Sequence, residues 1–150
     1  MPRSVRWTLI ALALLITAPF VAPLAAQAKL PNDSLELGRK WSLWFLGGRA
    51  DSLASAMAPD MLQSHGGVAG ITEAQAMVAE RAGLMKSVME EKFVWRNGQR
   101  QYWRTMAMSV LPEPFLLRFV MTSDGRISGV GLGPLSEAPP VDSSGPAIKP

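Results

Sequence analysis

"VMEEKFVWRNGQRQYWRTMAMSVLPEPFLLRFVMTSDGRISGVGLGP", residues 88–134, decides the fold because it contains two strong hairpin signals. Asn97-Gly98 and Asp124-Gly125 suit tight turns between strands, since both turn positions favour residues that tolerate positive φ. "LPEP" at 111–114 predicts a longer turn between them, because proline cannot donate to a strand ladder. The predicted strands are Val88–Arg96, Gln99–Val110, Phe115–Thr122 and Arg126–Leu132.

The three turns also predict which residues lie opposite each other. The first turn pairs Arg96 with Gln99, so Glu91 is expected opposite Arg104. The pairs predicted across the second and third turns are Val110 with Phe115, Met108 with Leu117, Met106 with Phe119, and Phe119 with Val130.

One face of this predicted sheet is apolar. Side chains alternate between the two faces of a strand, and all three turns place large apolar residues on the same side. This inner face is expected to pack against helices. Its predicted members are Met89, Phe93, Met106, Met108, Val110, Phe115, Leu117, Phe119, Met121, Val130 and Leu132.

Three glycines near the end of the last strand, Gly129, Gly131 and Gly133, do not have the spacing of a phosphate-binding loop. Such a loop connects a strand to a helix, so that amides at the helix start face the phosphate. Here the glycines lead into Pro134 instead. Gly129 and Gly131 are predicted on the outer face, where a missing side chain permits a bend or a close neighbour.

The residues before the sheet have helical periodicity. Asp33 or Ser34 is predicted to cap a first helix, which ends at Gly47-Gly48. Thr72 and Gln75 predict a capping box at the start of a later, longer helix. The apolar face of the first helix consists of Leu37, Trp41, Trp44 and Phe45.

The predicted fold is α+β, with N-terminal helices packed on a curved four-stranded antiparallel meander over residues 33–133. Residues 1–28 have two arginines, an apolar stretch and the cleavage pattern Ala26-Gln27-Ala28 of a signal peptide. We therefore expect an exported protein, periplasmic or extracellular, that contacts the membrane only through this segment before cleavage. Residues 134–150, rich in Pro, Ser and Gly, are expected to form a disordered tail.

Composition excludes several classes of site. The chain has no cysteine, which excludes a disulfide framework and a cysteine metal site. Two of its 15 Lys and Arg residues lie in the predicted signal peptide, leaving 13 against 12 Asp and Glu. Because both signs are interspersed, no nucleic-acid partner is predicted. With one histidine and no dense carboxylate cluster, no metal and no cofactor are predicted either.

Helices followed by an antiparallel meander with one apolar face resemble the nuclear transport factor 2-like fold. In particular, the chain resembles a domain of unknown function in that superfamily, found in exported bacterial proteins and sometimes ahead of serine hydrolase domains. The stretches that carry the resemblance are "WSLWFLGGRADSLASAMAPDML", "QYWRTMAMSV" and "DGRISGVGLGP". The resemblance implies a cone-like sheet. It leaves the function open, because the superfamily includes isomerases, cyclases, dehydratases and binding modules without activity.

Polar residues interrupt the apolar face near its first hairpin: Glu91, Tyr102 and Arg104, with Trp95 and Arg100 at the rim. A few converging polar groups in an apolar surface are typical of a ligand pocket. Two interpretations fit. Glu91 and Arg104 can form an ion pair that satisfies both inward charges, with Tyr102 half exposed. Alternatively, Arg104 and Tyr102 orient an anionic or carbonyl-bearing small molecule.

An enzymatic hypothesis uses the same residues. An isomerase- or dehydratase-like proton transfer with Glu91 as base requires Glu91 to be free of Arg104, with a pKa raised by burial. His65, the only histidine, lies in "QSHGGVAG" and can act as an acid or base on a loop over the cavity. It can equally be a solvated loop residue.

The outer face of the predicted sheet carries apolar residues as well, namely Val94, Trp103, Leu116, Val120 and Ile127. An exposed sheet face of this kind predicts an interface, in particular a homodimer. The sequence therefore predicts an exported, non-catalytic module that binds a small molecule or a partner. The proton-transfer enzyme and a dimerising accessory domain are the alternatives.

Overall fold

A computed structural model describes residues 32–142, with side chains from residue 35 onward. The domain is α+β, and within this range all α-helices precede one antiparallel sheet with strand order β1-β2-β3-β4. The predicted meander is therefore confirmed. The elements are α1 Asn32–Leu46, α2 Ala50–Ala56, α3 Pro59–Ser64, α4 Gly67–Ala82, β1 Met85–Arg96, β2 Gln99–Met108, β3 Phe115–Met121 and β4 Ile127–Pro134, followed by a 3-10 helix, Leu135–Glu137.

The first hairpin has the predicted turn and register. Asn97 and Gly98 have φ values of 52° and 70°, as a tight two-residue turn between twisted strands requires. Glu91 consequently lies opposite Arg104, and Phe93 lies opposite Tyr102. This pairing brings the polar residues of the inner face together.

The second connection is longer than predicted, and its predicted pairs are wrong. Met106 lies opposite Phe115, whereas the sequence placed Val110 there. The reason is that Ser109 and Val110 donate backbone hydrogen bonds to the carbonyls of Leu84 and Ala82 at the α4–β1 connection. Val110 is 62% exposed as a result. Because the register shift is an even number of residues, the remaining β2 and β3 side chains keep their predicted faces.

Two strand irregularities overturn two further placements. A bulge between Val88 and Glu90 leaves Met89 without a partner on β2, and Met89 is 58% exposed rather than on the inner face. A second irregularity near the last turn pairs Ile127 with Met121, so Ile127 is buried in the core rather than on the outer face. A single extra residue in a strand reverses the faces of the neighbouring residues beyond it.

Helix α1 packs closely on the inner face. The Trp41 ring meets the Phe119 ring edge-on, with centroids 5.7 Å apart. Gly38 lies against the Tyr102 ring, and a Cβ at this position would overlap that ring. A glycine in the middle of a helix destabilises it by about 1 kcal/mol relative to alanine. The close approach of the Tyr102 ring explains why glycine is present at position 38.

Helix α4 begins earlier than the predicted capping box. Gly66 and Gly67 both have positive φ, which lets the chain turn sharply out of α3 and into α4. Thr72 lies within the helix and donates its hydroxyl to the carbonyl of Val68. The capping prediction at Thr72 is therefore wrong.

The outer face of the sheet is covered by the chain itself. Leu135 donates its backbone N–H to the Pro114 carbonyl at 2.8 Å, and Asp142 donates its own to the Trp95 carbonyl at 2.8 Å. Residues 135–142, here called the strap, begin with the 3-10 helix Leu135–Glu137 and connect the start of β3 to the end of β1 over this face.

The strap corrects the prediction for the C-terminal segment. Pro134 ends β4 and residues 135–142 are ordered against the sheet, where the sequence indicated a disordered tail. Ala138 and Pro139 line a small cavity together with Leu116 and Arg118 of the outer face. Residues 143–150 of the predicted tail and the predicted signal peptide, residues 1–28, lie outside the described residues.

The glycines of β4 have the predicted role of admitting close neighbours. The Arg118 side chain lies where a Cβ of Gly131 would be, and a Cβ at Gly129 would come within 2.9 Å of Val120. Both are cross-strand partners of these glycines in the register of β3 and β4. The glycines of this strand form no phosphate loop, because β4 leads into the strap and not into an α-helix.

Candidate functional site

Four side chains form a hydrogen-bonded cluster on the inner face, here called the Glu91 cluster: Arg39, Glu91, Tyr102 and Arg104. Glu91 Oε1 accepts from the Tyr102 hydroxyl at 2.5 Å and from Arg104 Nη1 at 3.0 Å. Glu91 Oε2 accepts from Arg39 Nε at 2.7 Å. Strands β1 and β2 position three of these residues by register, and α1 supplies Arg39.

The Glu91 carboxylate is held in its charged form. Its burial by itself raises the pKa, but the hydrogen bonds from Tyr102 and Arg39 and the charge of Arg104 outweigh this effect. The net result is that the pKa of Glu91 is lowered from its usual value. Burial, followed by the hydrogen bond to Glu91, raises the pKa of Tyr102 to about 12.

This geometry does not meet the condition set for Glu91 as a general base. The hypothesis required a carboxylate free of Arg104 with a raised pKa, and the structure has a paired carboxylate with a lowered one. Tyr102, expected to be half exposed, is fully buried. The arrangement corresponds to the first interpretation, in which cross-strand partners satisfy each other's inward charges.

A different cavity lies at the hairpin end of the same face. Trp95, Arg100 and Met121 follow one another across β1, β2 and β3 in a single row of the sheet, on the inner side. They line a cavity of about 270 Å³, here called the hairpin-end pocket. Its other lining residues are Gly98, Gln99, Thr122 and Ser123 of the two adjoining turns.

Arg100 is the charged residue of this pocket. Its guanidinium lies over the Phe93 ring, with Cζ 5.8 Å from the ring centroid. The four ion pairs formed among residues 35–142 use other cations, and Arg100 takes part in none of them. Partial burial accordingly lowers the pKa of Arg100 from its usual value.

His65 does not belong to either site. It follows α3, and its Nδ1 lies 3.0 Å from the Met61 carbonyl oxygen and 3.1 Å from Ser64 Oγ. It lines a separate apolar cavity of about 110 Å³ with Ile71 and Val130 among its other walls. The expected loop over the polar residues of the sheet is therefore not formed by His65.

The outer-face residues predicted as an interface lie beneath other parts of the chain. Trp103 is 5% exposed and Leu116 3% exposed, while Val120 is half-buried. Trp103 donates its indole N–H to Gln101 Oε1 at 3.0 Å, so its polar group is satisfied within the chain. The expectation that this face is exposed is wrong, because the strap crosses it.

Sequence reasoning missed Arg39 as a member of the Glu91 cluster and gave Arg100 only a rim position. Nothing in the sequence distinguishes Arg39 from the other charged residues of α1. It reaches Glu91 because α1 packs on the sheet. Among the described residues, no three metal-ligating side chains lie together, and none of the helices is long and apolar enough to span a bilayer.

Comparison of the chain with protein-family models, with curated proteins and with solved structures found no match in any of the three.

Proposed function

We propose that this protein is an exported, non-catalytic module that binds a small, largely apolar molecule in the hairpin-end pocket. The observation that carries the proposal is the apolar cavity itself, whose floor is formed by Trp95 and Met121. Ligand sites are concave and mostly apolar, with few polar groups. At about 30 Å³ for each water displaced, the volume corresponds to a ligand of about ten non-hydrogen atoms.

The Glu91 cluster supports a binding function over a catalytic one. A general base needs a pKa near the working pH and an unoccupied face toward the substrate. Both oxygens of Glu91 already accept hydrogen bonds, and its lowered pKa makes it a weak base. We therefore assign this cluster to stability and the neighbouring pocket to binding.

The finer fold assignment and the location are part of this proposal. The order of helices followed by an antiparallel meander supports a cone-like member of the nuclear transport factor 2-like superfamily, with the hairpin-end pocket at its mouth. The charge-free apolar stretch and the cleavage pattern within residues 1–28 support export.

The proposed pocket is tested by an NMR titration of the isotope-labelled protein with octan-1-ol. We expect saturable amide shifts at Gly98, Gln99 and Ser123, which line the pocket. Trp95→Ala removes much of the apolar floor and is expected to weaken binding by about tenfold or more.

The matched control is Leu43→Ala, because Leu43 is an exposed apolar residue of α1 that does not line the pocket. This variant is expected to bind octan-1-ol as the unmodified protein does. Shifts that are absent, or that Trp95→Ala and Leu43→Ala reduce equally, would refute binding in this pocket.

A further inference from the structure

We infer that the ligand of the hairpin-end pocket carries a single carboxylate on an apolar body, and that Arg100 binds this carboxylate. The inference rests on the proposed binding function and adds the chemical class of the ligand. It identifies Arg100 as the residue that determines specificity, whereas the apolar floor determines only size.

The positive charge of Arg100 lies in the lining of the hairpin-end pocket. Arg100 is half-buried in the pocket wall, between the Trp95 and Met121 positions of the same row. The Cζ of its guanidinium lies 5.8 Å from the centroid of the Phe93 ring. A guanidinium on an aromatic face retains the two parallel donors that match a carboxylate.

Glu91, Asp124 and Asp142 have partners other than Arg100. Glu91 accepts from Arg39, Tyr102 and Arg104, so its two oxygens are already used. Asp124 lies 3.5 Å from Arg126 in an exposed pair on the adjoining turn.

Asp142 completes this set of acids, and its carboxylate accepts from the backbone N–H of Gly98 at 3.2 Å. Among the described residues, Arg100 forms no ion pair with any carboxylate. A partly desolvated charge without a counter-ion is unfavourable, and an anionic ligand removes that penalty.

The hairpin-end pocket suits a carboxylate better than a phosphate. A phosphate group carries up to two charges and is normally held by several cations or by a series of backbone N–H groups. Among the described residues, Arg100 is the only cation that lines the pocket, and the N–H of Gly98 is already donated to Asp142. One guanidinium above an apolar floor matches a singly charged carboxylate with a short apolar chain.

The experiment compares octanoate with octan-1-ol, which have the same apolar chain and differ in the charged head. Calorimetric titration of the purified protein is expected to show octanoate binding about 10- to 100-fold more tightly than octan-1-ol. Arg100→Met is expected to abolish this difference, because it removes the donors that distinguish a carboxylate from an alcohol. Arg100→Lys keeps the charge but loses the paired donors, and is expected to give an intermediate ratio.

Arg126→Met is the matched control, because it removes the same charge from an exposed position beside the pocket. It is expected to leave the octanoate to octan-1-ol ratio unchanged. Equal affinity for the two probes in the unmodified protein overturns the carboxylate inference while the pocket stands. Failure of both probes to bind overturns the proposed function and the inference with it.

Should Arg100→Met fail to fold, the ratio in the unmodified protein and in Arg100→Lys decides the question. An octanoate preference that Arg126→Met reduces as much as Arg100→Lys does would show a general charge effect and would overturn the role of Arg100.

Discussion

Arg104 and Arg100 lie on the same strand and on the same face of the sheet, yet their surroundings are opposite. Arg104 is buried and pairs with Glu91, which also accepts from Tyr102 and Arg39. Arg100 is half-buried beside an apolar cavity and has no acidic partner among the described residues. One end of the inner face is closed by its own side chains, and the other end is open.

The two ends differ in whether the fold itself supplies a counter-ion for the charge. A buried charge that the fold supplies with a counter-ion is already neutralised and has little capacity left for an ionic ligand. A partly buried charge without a partner leaves an electrostatic requirement that a ligand can meet. Arg104 belongs to the first class. Arg100, which takes part in no ion pair among the described residues, belongs to the second.

The largest expected effect comes from breaking the closed end. Glu91→Gln leaves the Arg104 guanidinium buried without its counter-ion. Because removing one partner of a buried pair typically costs about 3–5 kcal/mol, we expect a loss of that size in the free energy of unfolding. Urea denaturation at pH 7 measures it. Glu90→Gln, which changes an exposed carboxylate on the same strand, is the control and is expected to have little effect.

The loss of stability in Glu91→Gln relative to the unmodified protein should depend on pH. The pKa of Glu91 is lowered in the folded state from its value of 4.5 in the unfolded chain. Its stabilising contribution is therefore complete above about pH 4.5 and is lost as the pH falls through the lowered folded-state pKa. The difference in unfolding free energy between the unmodified protein and Glu91→Gln should shrink below pH 4.5. A constant difference down to pH 2 would show that the charge of Glu91 is not the cause.

Tyr102 is the only tyrosine of the chain, so its ionisation can be followed by absorbance without interference from other tyrosines. Burial and the hydrogen bond to Glu91 raise its pKa to about 12 from a usual value of 10.0. The absorbance of tyrosinate near 295 nm should therefore titrate with a midpoint of about 12 in the folded protein and near 10 in urea.

Glu91→Gln should lower the folded midpoint, because it removes the negative charge that disfavours tyrosinate. The contribution of neutral Tyr102 to stability is present below pH 10 and is lost as the pH rises toward 12. A folded midpoint at 10 would contradict both the burial of Tyr102 and its contact with Glu91.

A smaller effect is expected where the strap supports the open end. Asp142→Ala removes the acceptor of the Gly98 N–H in the hairpin turn. One exposed hydrogen bond is worth about 1 kcal/mol or less, so the loss in unfolding free energy should be of that order. The Gly98 amide should also exchange its hydrogen faster. Glu137→Ala changes another acid of the strap and should affect neither quantity; equal effects of the two variants would argue against an anchor at Asp142.

The smallest effect on stability is expected at Arg100, at the open end of the inner face. Arg100→Met should change the free energy of unfolding by no more than about 0.5 kcal/mol, because it breaks no ion pair among the described residues. Thermal and urea denaturation measure this value. A loss approaching that of Glu91→Gln would show that Arg100 is a structural residue and that the two ends of the face do not differ.

The inner face was predictable where local turn chemistry controls the register. Asn97-Gly98 places both residues at positive φ, and this alone brings Glu91 opposite Arg104. The β2–β3 connection was not predictable, because its register depends on backbone hydrogen bonds to Ala82 and Leu84, which are distant in the sequence. The assignment of faces survived there because the register moved by an even number of residues.

The outer face shows a second limit. The alternation of β2 correctly separates Trp103 from Tyr102, but it does not reveal what covers each of them. Helices cover Tyr102, and a proline-containing segment with the composition of a disordered tail crosses the face of Trp103. Composition predicts disorder when a segment has no surface to pack against, and here the sheet supplies one.

The order of elements, the antiparallel meander and the polarity of its two faces follow from the sequence by itself, because turn residues and strand alternation act over a few neighbouring positions. Which arginine is paired with a carboxylate and which is not was decided only by the tertiary structure. Arg39 reaches Glu91 through the docking of α1, and no comparable acid reaches Arg100 from the described residues. The pairing of charges depends on distances between elements far apart in the chain, which no local pattern encodes.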